Sequence, residues 1–303
     1  MQIFDIPINS RRMETTRIGT FDFPLAVHEN DLKKNVLGFI NWHWHYEFQL
    51  TYVVRGTISV FFNQQTIDLK EGEGIYINPE VLHMIRDKDD SDAIFISLDV
   101  NPRILTSFPN SVFERNYVKP VFRSAAADAL VLKPEVSWQK NILDSAKMIE
   151  QIYKQGGFGW ELAISSCLYS IWHLLVSNLR ESIAERDAPS EEEARMRRDQ
   201  RLKEILSYIR EHFTEKITLD DIAAHIHLST SECCRFFKKN MNCTLFEYIV
   251  EYRLSKSMEL LEKTDFTVAR IAFETGFGSS SYFIEKFRRN MGMTPAAFRK
   301  TRR

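Results

Sequence analysis

The stretch Lys238-Lys239-Asn240-Met241-Asn242-Cys243-Thr244 returns in altered form as Arg288-Arg289-Asn290-Met291-Gly292-Met293-Thr294, 50 positions further along the chain. A phenylalanine, Phe237 or Phe287, stands directly before the basic pair of each copy. Similar units at a fixed spacing indicate a repeated supersecondary structure. Because each copy follows a short helical pattern and a tight turn, the repeat predicts two helix-turn-helix modules side by side. Such a pair can place one helix in each of two successive major grooves of DNA.

Capping residues and apolar spacing predict the individual helices of this last third. Thr218, followed three residues later by Asp221, is typical of a helix N-cap, and Ser229 is typical of another. Gly276 supplies the backbone freedom that a sharp turn needs. An amphipathic helix over Leu202–Phe213 is expected to come first. The remaining predicted helices are 219–226, Ser229–Lys239, Leu245–Lys263, Thr267–Glu274 and Ser279–Asn290.

Charge is distributed unevenly along the 303 residues, whose formal net charge is −1. From Asp199 to Arg303 there are 18 lysines and arginines against 14 acidic residues, and from Lys286 onward seven basic residues and no acidic ones. The net charge excludes a strongly basic protein. A basic C-terminus nevertheless favours contact with a polyanion, with a merely solvated surface as the alternative.

Cysteine usage and hydropathy bear on the compartment. The chain has four cysteines and no Cys-x-x-Cys pair, which predicts free thiols in a reducing cytoplasm. No uninterrupted apolar run reaches the roughly 18 residues of a membrane span, since serines and His173 interrupt Leu162–Val176. We therefore expect a cytoplasmic protein without a membrane partner.

The first hundred residues have the pattern of short strands separated by turns. From Trp42 to Val54 the sequence alternates, with aromatic and apolar side chains on one face and polar ones on the other. The polar face carries His43, His45, Glu47, Gln49 and Thr51. Further strands are predicted over 57–62, 66–69, 75–78 and 93–99. Closely spaced hairpins of this kind favour a small antiparallel barrel or sandwich.

The spacing of apolar residues becomes helical from Trp138 onward. Gly156-Gly157 separates a first helix from a long apolar one over Trp160–Leu179. The charged, apolar-poor stretch Glu181–Arg198 is interpreted as a linker, with a helical end as the alternative to a fully irregular one. The expected organisation is a barrel over 1–136, a helical dimerisation segment over 137–180, a linker over 181–198 and a DNA-binding domain over 199–303.

The last hundred residues resemble the DNA-binding domain of AraC-type bacterial transcription regulators. The resemblance is carried by motifs in both modules, among them Leu228-Ser229, Arg253-Leu254, Ile271-Ala272, Gly276-Phe277 and Gly292-Met293-Thr294-Pro295. One helix-turn-helix motif alone is weakly specific, whereas two in register with this C-terminal signature are strongly so. Asn242 stands where the family usually has glycine, and asparagine tolerates the left-handed conformation better than most residues.

The resemblance implies that bases are read early in the second helix of each module. The corresponding positions are Ser231, Cys234 and Arg235 in the first module and Ser280, Ser281 and Glu285 in the second. Arg235 could pair bidentately with a guanine, and Glu285 could accept from a cytosine amino group. The family more often has a basic residue at the Glu285 position, so the second module is expected to bind weakly or mainly to position the first. Candidate phosphate contacts, with solvated surface as the alternative, are Lys238, Lys239, Arg288 and Arg289.

The N-terminal part resembles the cupin barrel that many AraC-type regulators carry as their sensor. The matching features are His43-Trp44-His45, the strand end Tyr52–Gly56, the turn Gly72–Gly74 and the Asn78–His83 motif. In metal-binding cupins, two such histidines, a carboxylate further along and the later histidine hold a metal ion. Here Gln49 occupies the usual carboxylate spacing and Glu47 stands two residues earlier.

Three interpretations of these polar residues remain open. In the favoured one, His43, His45, Glu47, Gln49 and His83 line a pocket that hydrogen-bonds a small polar effector, for which sugars are a natural candidate. In the second, His43, His45, Glu47 and His83 bind a divalent metal ion. In the third they are hydrogen-bonded interior residues without a ligand. No resident cofactor is expected under the favoured interpretation.

The predicted fold class is multidomain α and β. It combines an N-terminal cupin-like antiparallel β-barrel and following helices with a C-terminal all-α domain of two helix-turn-helix modules. The favoured function is a sequence-specific transcription regulator, an activator by analogy, that is controlled by an effector and is not an enzyme. Its expected partners are double-stranded DNA, a second copy of the chain and RNA polymerase. The alternative is a metal-dependent cupin enzyme fused to a DNA-binding domain, which Gln49 in the carboxylate position argues against.

Overall fold

A computed structural model describes residues 14, 19–20, 22–35, 38–186, 189–241, 243–291 and 293–302. The chain divides into two compact units, Met1–Asp199 and Gln200–Arg303. The first consists of antiparallel sheets and helices, and the second is all helical. The predicted fold class is therefore confirmed. Asn242 and Gly292, which the sequence assigns to the turns after the basic pairs, lie outside the described residues.

The strands of the first unit form two antiparallel sheets. The first sheet has the order β1-β8-β3-β6-β9, and the second has the order β2-β7-β4-β5. Their bounds are β1 Leu25–Asp31, β2 Phe39–His43, β3 Phe48–Arg55, β4 Thr57–Phe62, β5 Gln65–Lys70, β6 Gly74–Ile77, β7 His83–Asp87, β8 Ile94–Val100 and β9 Ala129–Leu132.

Side-chain alternation along the strands separates two cores. On β3, Phe48, Leu50 and Tyr52 join a core that the first sheet shares with helices. Val53, on the opposite face of β3, joins a second core with residues of both sheets. Phe95 on β8 belongs to this second core, which therefore fills the space between the sheets. On β3 the polar residues that alternate with Phe48, Leu50 and Tyr52 also face the space between the sheets.

The prediction of one strand from Trp42 to Val54 is wrong. His43 ends β2 in the second sheet, and Phe48 begins β3 in the first. Between them the chain crosses from one sheet to the other, where the Glu80 amide donates to the His45 carbonyl oxygen at 2.8 Å. The alternation continues through this corner because both strands bury one polar and one aromatic face, so a period of two does not reveal the change of sheet.

Helices cover the outer face of the first sheet. The short α1 Arg103–Thr106 and α2 Lys119–Arg123 flank a turn of π-helix over Glu114–Val118, and two long helices follow, α3 Ser137–Gln155 and α4 Trp160–Arg186. The buried stripe of α3, Ile142, Leu143, Ala146 and Ile149, packs in the core beside the first sheet. Strands β1, β7 and β9 were not predicted, and α4 extends beyond its expected end.

Helix α4 is long and apolar enough over Trp160–Ile183 to cross a membrane by length and composition alone. A third of its most apolar window, 33%, is buried inside the protein. Ile164, Leu168, Ile171 and Leu175 belong to the core beside the first sheet. A core helix passes the same hydropathy test, so this feature does not indicate a membrane span.

The second unit consists of helices, and those between Leu219 and Met291 follow the predicted bounds closely. The first helix instead begins inside the predicted linker 181–198, and the last one was not predicted. The helices are α5 Pro189–His212, which begins before the unit, then α6 Leu219–His225, α7 Thr230–Met241, α8 Leu245–Lys263, α9 Val268–Glu274, α10 Ser280–Met291 and α11 Pro295–Arg302. Thr218 and Asp221 form a capping box on α6, and the Ser229 hydroxyl accepts from the Glu232 amide at the start of α7. The predicted N-caps are confirmed.

Both helix-turn-helix modules end their first helix with the same hydrogen-bond pattern. The Leu228 amide donates to the Ala223 carbonyl at 2.9 Å, and the Phe277 amide donates to the Ala272 carbonyl at 2.9 Å. In each module this hydrogen bond spans six residues, and the residue before its donor makes a second, inner hydrogen bond. The pair of bonds is the Schellman motif, in which one residue must adopt the left-handed backbone conformation. His227 supplies it at φ 56° and Gly276 at φ 76°. The sequence repeat is therefore a repeat in backbone geometry.

Candidate functional site

Helix α7 presents an exposed polar row and a buried apolar one. Ser231, Arg235 and Lys238 are exposed and lie four and three residues apart, on one face of the helix. Phe237 and Cys233 on the opposite side are buried. Burial raises the pKa of the Cys233 thiol to about 11, which leaves it protonated and unreactive.

Helix α10 repeats this arrangement. Ser281, Glu285 and Arg288 are exposed on one face, and Phe283 and Phe287 are buried on the other. Of the remaining predicted DNA contacts, Cys234 and Ser280 are half-buried and Lys239 and Arg289 are exposed. The predicted base-reading and phosphate-contacting residues thus lie together in one surface row on each second helix.

A row of buried polar side chains lines the space between the two sheets of the first unit. By strand alternation, His28 and Asn30 on β1, Ser97 and Asp99 on β8, and Gln49 and Thr51 on β3 share this face, and all six are buried. The Gln49 amide donates to the Asp99 carboxylate at 2.9 Å, and the Asn30 amide donates to the Ser97 hydroxyl at 3.2 Å. We call these six residues the polar row.

Asp99 is the charged member of the polar row, and its environment disfavours the charge. The pKa of Asp99 is raised to about 7, mainly by burial; the hydrogen bond from Gln49 lowers it, and the nearby Glu47 carboxylate raises it by a smaller amount. The His28 Nε2 atom lies 3.5 Å from the Asp99 carboxylate. Asp99 is thus protonated below neutral pH and can then donate as well as accept a hydrogen bond.

The second sheet contributes three histidines that converge in the same unit. His43 lies directly opposite His83 in the β2–β7 pair, after a register shift between Ile40 and His43. His45 lies just beyond the end of β2. The ring centroids of His43 and His83 are 4.2 Å apart, and those of His45 and His83 are 5.3 Å apart. One ring nitrogen of each lies within 4.8 Å of the others, and all three are buried.

The Nδ1 atom of each of these histidines is hydrogen-bonded to a backbone carbonyl oxygen. The partners are Asn41 at 2.8 Å for His43, Glu47 at 2.9 Å for His45, and Val81 at 2.9 Å for His83. Because a carbonyl oxygen only accepts, Nδ1 carries the proton and Nε2 is left with its lone pair. Burial, and then the neighbouring His45, lower the pKa of His83 to about 3, which keeps it neutral.

The Glu47 carboxylate is not part of the histidine cluster among the described residues. The Glu47 side chain is half-buried and accepts a hydrogen bond from the Asn101 amide at 3.0 Å. Gln49 bonds to Asp99 rather than to a histidine. Of the five residues predicted to bind the effector, the structure brings His43, His45 and His83 into one cluster, with Gln49 in the polar row and Glu47 in neither.

Several buried polar atoms in this interior lack a hydrogen-bond partner among the described residues. They are Gln49 Oε1, Thr51 Oγ1, His45 Nε2 and His83 Nε2. Buried polar atoms in proteins are nearly always paired, so these atoms require a partner such as ordered water, an ion or a ligand. The interior is therefore equipped to accept a polar ligand.

The sequence interpretation missed Asp99, His28 and Ser97. Strand β8 reads Ile94-Phe95-Ile96-Ser97-Leu98-Asp99-Val100, in which polar residues appear at alternate positions of an otherwise apolar strand. Such a pattern predicts buried polar side chains when both faces of the strand are covered. The alternation in Trp42–Val54 was used to predict polar interior residues, whereas the same alternation in β8 was not.

Two family models match the chain, one for each unit. The "AraC-like ligand binding domain" matches residues 35–172, and a "Helix-turn-helix domain" matches residues 222–301. The HTH-type transcriptional regulator YdeC of Bacillus subtilis is 35% identical over 293 residues, which cover 97% of each protein. The chain belongs to the AraC family of transcription regulators. This AraC-family regulator also resembles the melibiose operon regulatory protein of Escherichia coli, at 23% identity over 85% of this chain and 83% of that protein.

Solved structures similar to this AraC-family regulator include the DNA-binding domain of AdpA in complex with a target DNA. That chain is 28% identical, and the alignment covers 33% of this chain and 90% of that one with a TM-score of 0.32. ToxT from Vibrio cholerae is 13% identical and aligns over 93% of this chain and 98% of its own, with a TM-score of 0.42. Family membership assigns the two units of this regulator to ligand binding and DNA binding.

Proposed function

We propose that this protein is a cytoplasmic transcription activator whose DNA binding, or contact with RNA polymerase, is controlled by a small polar effector held between the two sheets. The observation that carries the proposal is a set of buried polar atoms, on Gln49, Thr51, His45 and His83, that have no hydrogen-bond partner among the described residues. An interior that served only for stability would satisfy these atoms or replace them with apolar side chains.

A sugar is the candidate effector class. The buried polar groups between the sheets match the many hydroxyl groups of a carbohydrate. They are the carboxyl group of Asp99, the amide of Gln49, the hydroxyl of Thr51 and the imidazole of His28. One relative is named the melibiose operon regulatory protein, and melibiose is a sugar. Helices beside the sheet would pass on the effect of binding, because α3 and α4 pack directly on β3 and β8 through the shared core.

DNA binding is proposed to use the exposed rows of α7 and α10. Arg235 has the reach and the paired donors to read a guanine, and Lys238, Lys239, Arg288 and Arg289 are exposed for phosphate contacts. Glu285 lies in the corresponding row of α10 and would repel the DNA backbone wherever it does not meet a cytosine amino group. We therefore propose that the first module supplies most of the affinity.

The active form is proposed to be a homodimer. Leu162 and Tyr169, seven residues apart on α4, are exposed apolar side chains at 78% and 37% relative accessibility. A second copy covering this face would remove them from water and would place two pairs of modules on duplicated DNA sites.

The proposal is tested by selecting duplexes from a random pool with the full-length protein and measuring their affinity by fluorescence anisotropy. We expect a site whose two recognised segments lie about one helical turn, 10–10.5 base pairs, apart. We also expect at least one compound of a panel of sugars and polar metabolites to change the affinity. Binding of equal strength to every duplex, or indifference to the whole panel, would contradict the proposal.

A further inference from the structure

We propose that His43, His45 and His83 bind a divalent transition-metal ion through their Nε2 atoms. The inference rests on the proposed function, because it names a ligand of the same interior. It also departs from the donor set that the sequence suggested, since Glu47 takes no part. The three residues are 1%, 2% and 0% exposed, so the site is closed to bulk water.

The first support is the convergence of the rings. One nitrogen of each histidine lies within 4.8 Å of the other two, and the positions are fixed by the backbone. His43 and His83 are paired across β2 and β7, and the Glu80 amide holds the His45 carbonyl oxygen. At a metal–nitrogen distance of 2.0–2.1 Å, two ligands at the tetrahedral angle are about 3.3 Å apart. Small ring rotations would close this gap.

The second support is the tautomer of the rings. All three Nδ1 atoms donate to backbone carbonyl oxygens, those of Asn41, Glu47 and Val81, at 2.8–2.9 Å. Metal-binding histidines characteristically donate their other ring N–H in this way, which orients the ring and raises the basicity of the ligand nitrogen. The Nε2 atoms of His45 and His83 are buried and have no partner among the described residues. Lone pairs that face one another need a cation or a donor between them.

The donor set indicates the class of metal and its coordination. Three neutral imidazoles suit Zn²⁺, Ni²⁺, Co²⁺ or Cu²⁺ rather than Mg²⁺ or Ca²⁺, which prefer oxygen. The Glu47 side chain accepts from Asn101, and the cluster of described residues contains no carboxylate. A three-histidine site leaves at least one coordination position open, and the ion keeps its full charge. That open position would take an oxygen donor, for which an anionic or hydroxylated effector is suited.

The experiment uses full-length protein that has been treated with a chelator and dialysed. Titration with Zn²⁺ and Co²⁺ by calorimetry should give one ion per chain, and the Co²⁺ form should show the visible absorption of a low-coordinate nitrogen site. His45→Gln and His83→Ala should each weaken binding by about 100-fold or more. His173→Ala, which removes an exposed histidine of α4, should leave the affinity unchanged.

Two further results would overturn the inference. Binding that survives in both His45→Gln and His83→Ala would place the ion elsewhere, and loss of binding in Glu47→Gln would make that carboxylate a ligand. His45 lies outside the strands, so His45→Gln tests the site even if His83→Ala does not fold, as judged by circular dichroism. Failure to bind Zn²⁺ or Co²⁺ at all would likewise refute the site.

Measuring the affinity for the selected duplex distinguishes failure of the metal site from failure of the proposed function. If no metal binds but an organic compound changes DNA affinity, the metal site is refuted and the proposed function stands. If one metal ion binds but DNA affinity responds neither to metal nor to any compound, the site stands and the proposed function is refuted.

Discussion

The side-chain amide of Gln49 donates a 2.9 Å hydrogen bond to the carboxylate of Asp99, and both residues are buried between the two sheets. The two are 50 positions apart in sequence and meet because β8 lies beside β3. This bond stabilises the ionised carboxylate, whereas burial and Glu47 oppose ionisation more strongly. The balance leaves a carboxyl group that holds its proton up to neutral pH.

Asp99→Asn tests this balance through the pH dependence of stability. The pKa of Asp99 is raised from 3.8 to about 7, so between these values the unfolded chain has lost the proton that the native state retains. The free energy of unfolding therefore falls as pH rises through this window and levels off above it. The variant, neutral at every pH, should lose this fall and be more stable than the original chain at pH 8.

The measurement is urea denaturation of both proteins at pH 5, 6, 7 and 8. The His28 ring lies 3.5 Å from the Asp99 carboxylate and is present in both proteins, so the comparison is the difference between the two proteins and not either curve alone. A difference that grows in favour of Asp99 as pH rises would contradict the assignment.

Gly276→Ala should destabilise the DNA-binding unit strongly. A Cβ atom at this position would lie 2.1 Å from the Phe213 carbonyl oxygen, which the Arg253 guanidinium also holds at 2.8 Å. The left-handed conformation itself costs about 1–2 kcal/mol for alanine, and the clash should add about 1–3 kcal/mol. Gly278→Ala is the matched control, because that glycine has φ 64° but open space around it. Equal losses in urea denaturation would show that the contact with Phe213 is unimportant.

His227→Gly should have the opposite effect in the first module. His227 is exposed and adopts φ 56° at the position equivalent to Gly276. Glycine relieves the strain of that conformation, which we expect to stabilise the unit by about 0.5–1 kcal/mol after the greater freedom of the unfolded chain is included. A lower denaturation midpoint for the variant would mean that the histidine side chain makes a stabilising contact instead.

Arg235→Ala should weaken binding to the selected duplex by about 1–3 kcal/mol and relax the preference at one base pair. Lys238→Ala, one turn further along α7, is the comparison. Loss of a phosphate contact there should weaken binding to all sequences alike and lower the slope of log affinity against log salt by about 1. Equal weakening of all sequences by Arg235→Ala would make that residue a phosphate contact.

The sequence predicted the second unit far better than the interior of the first. Leu245–Lys263 was predicted to the residue. The structure shows a local cause for its start, because Thr244 caps the helix and Glu247 completes the capping box three positions later. The repeat also located both turns. These features depend on neighbours within a few residues, where the periodicity of a helix is directly visible in the chain.

The site between the sheets depends on contacts that no local pattern encodes. Gln49 meets Asp99 and His43 meets His83 only after the strand order is set. The register shift between Ile40 and His43 carries the histidine to the face that contacts His83. A strict alternation could not have predicted that shift, nor the separation of Glu47 from the histidines. The sequence groups Glu47 with the histidines, whereas the cluster among the described residues contains only His43, His45 and His83.

Under the proposed function, a ligand between the sheets controls DNA binding. A thermal-shift screen of the full-length protein is the most direct test of this proposal. The panel holds sugars, polar metabolites and divalent metals, the last with a chelator control. A ligand at 100 times its dissociation constant should stabilise the fold by about 2.7 kcal/mol. We predict at least one such ligand, whose effect is lost in Asp99→Asn or in His45→Gln and which also changes affinity for the selected duplex. A panel without effect, or a ligand that stabilises both variants as much as the original chain, would contradict a ligand site between these sheets.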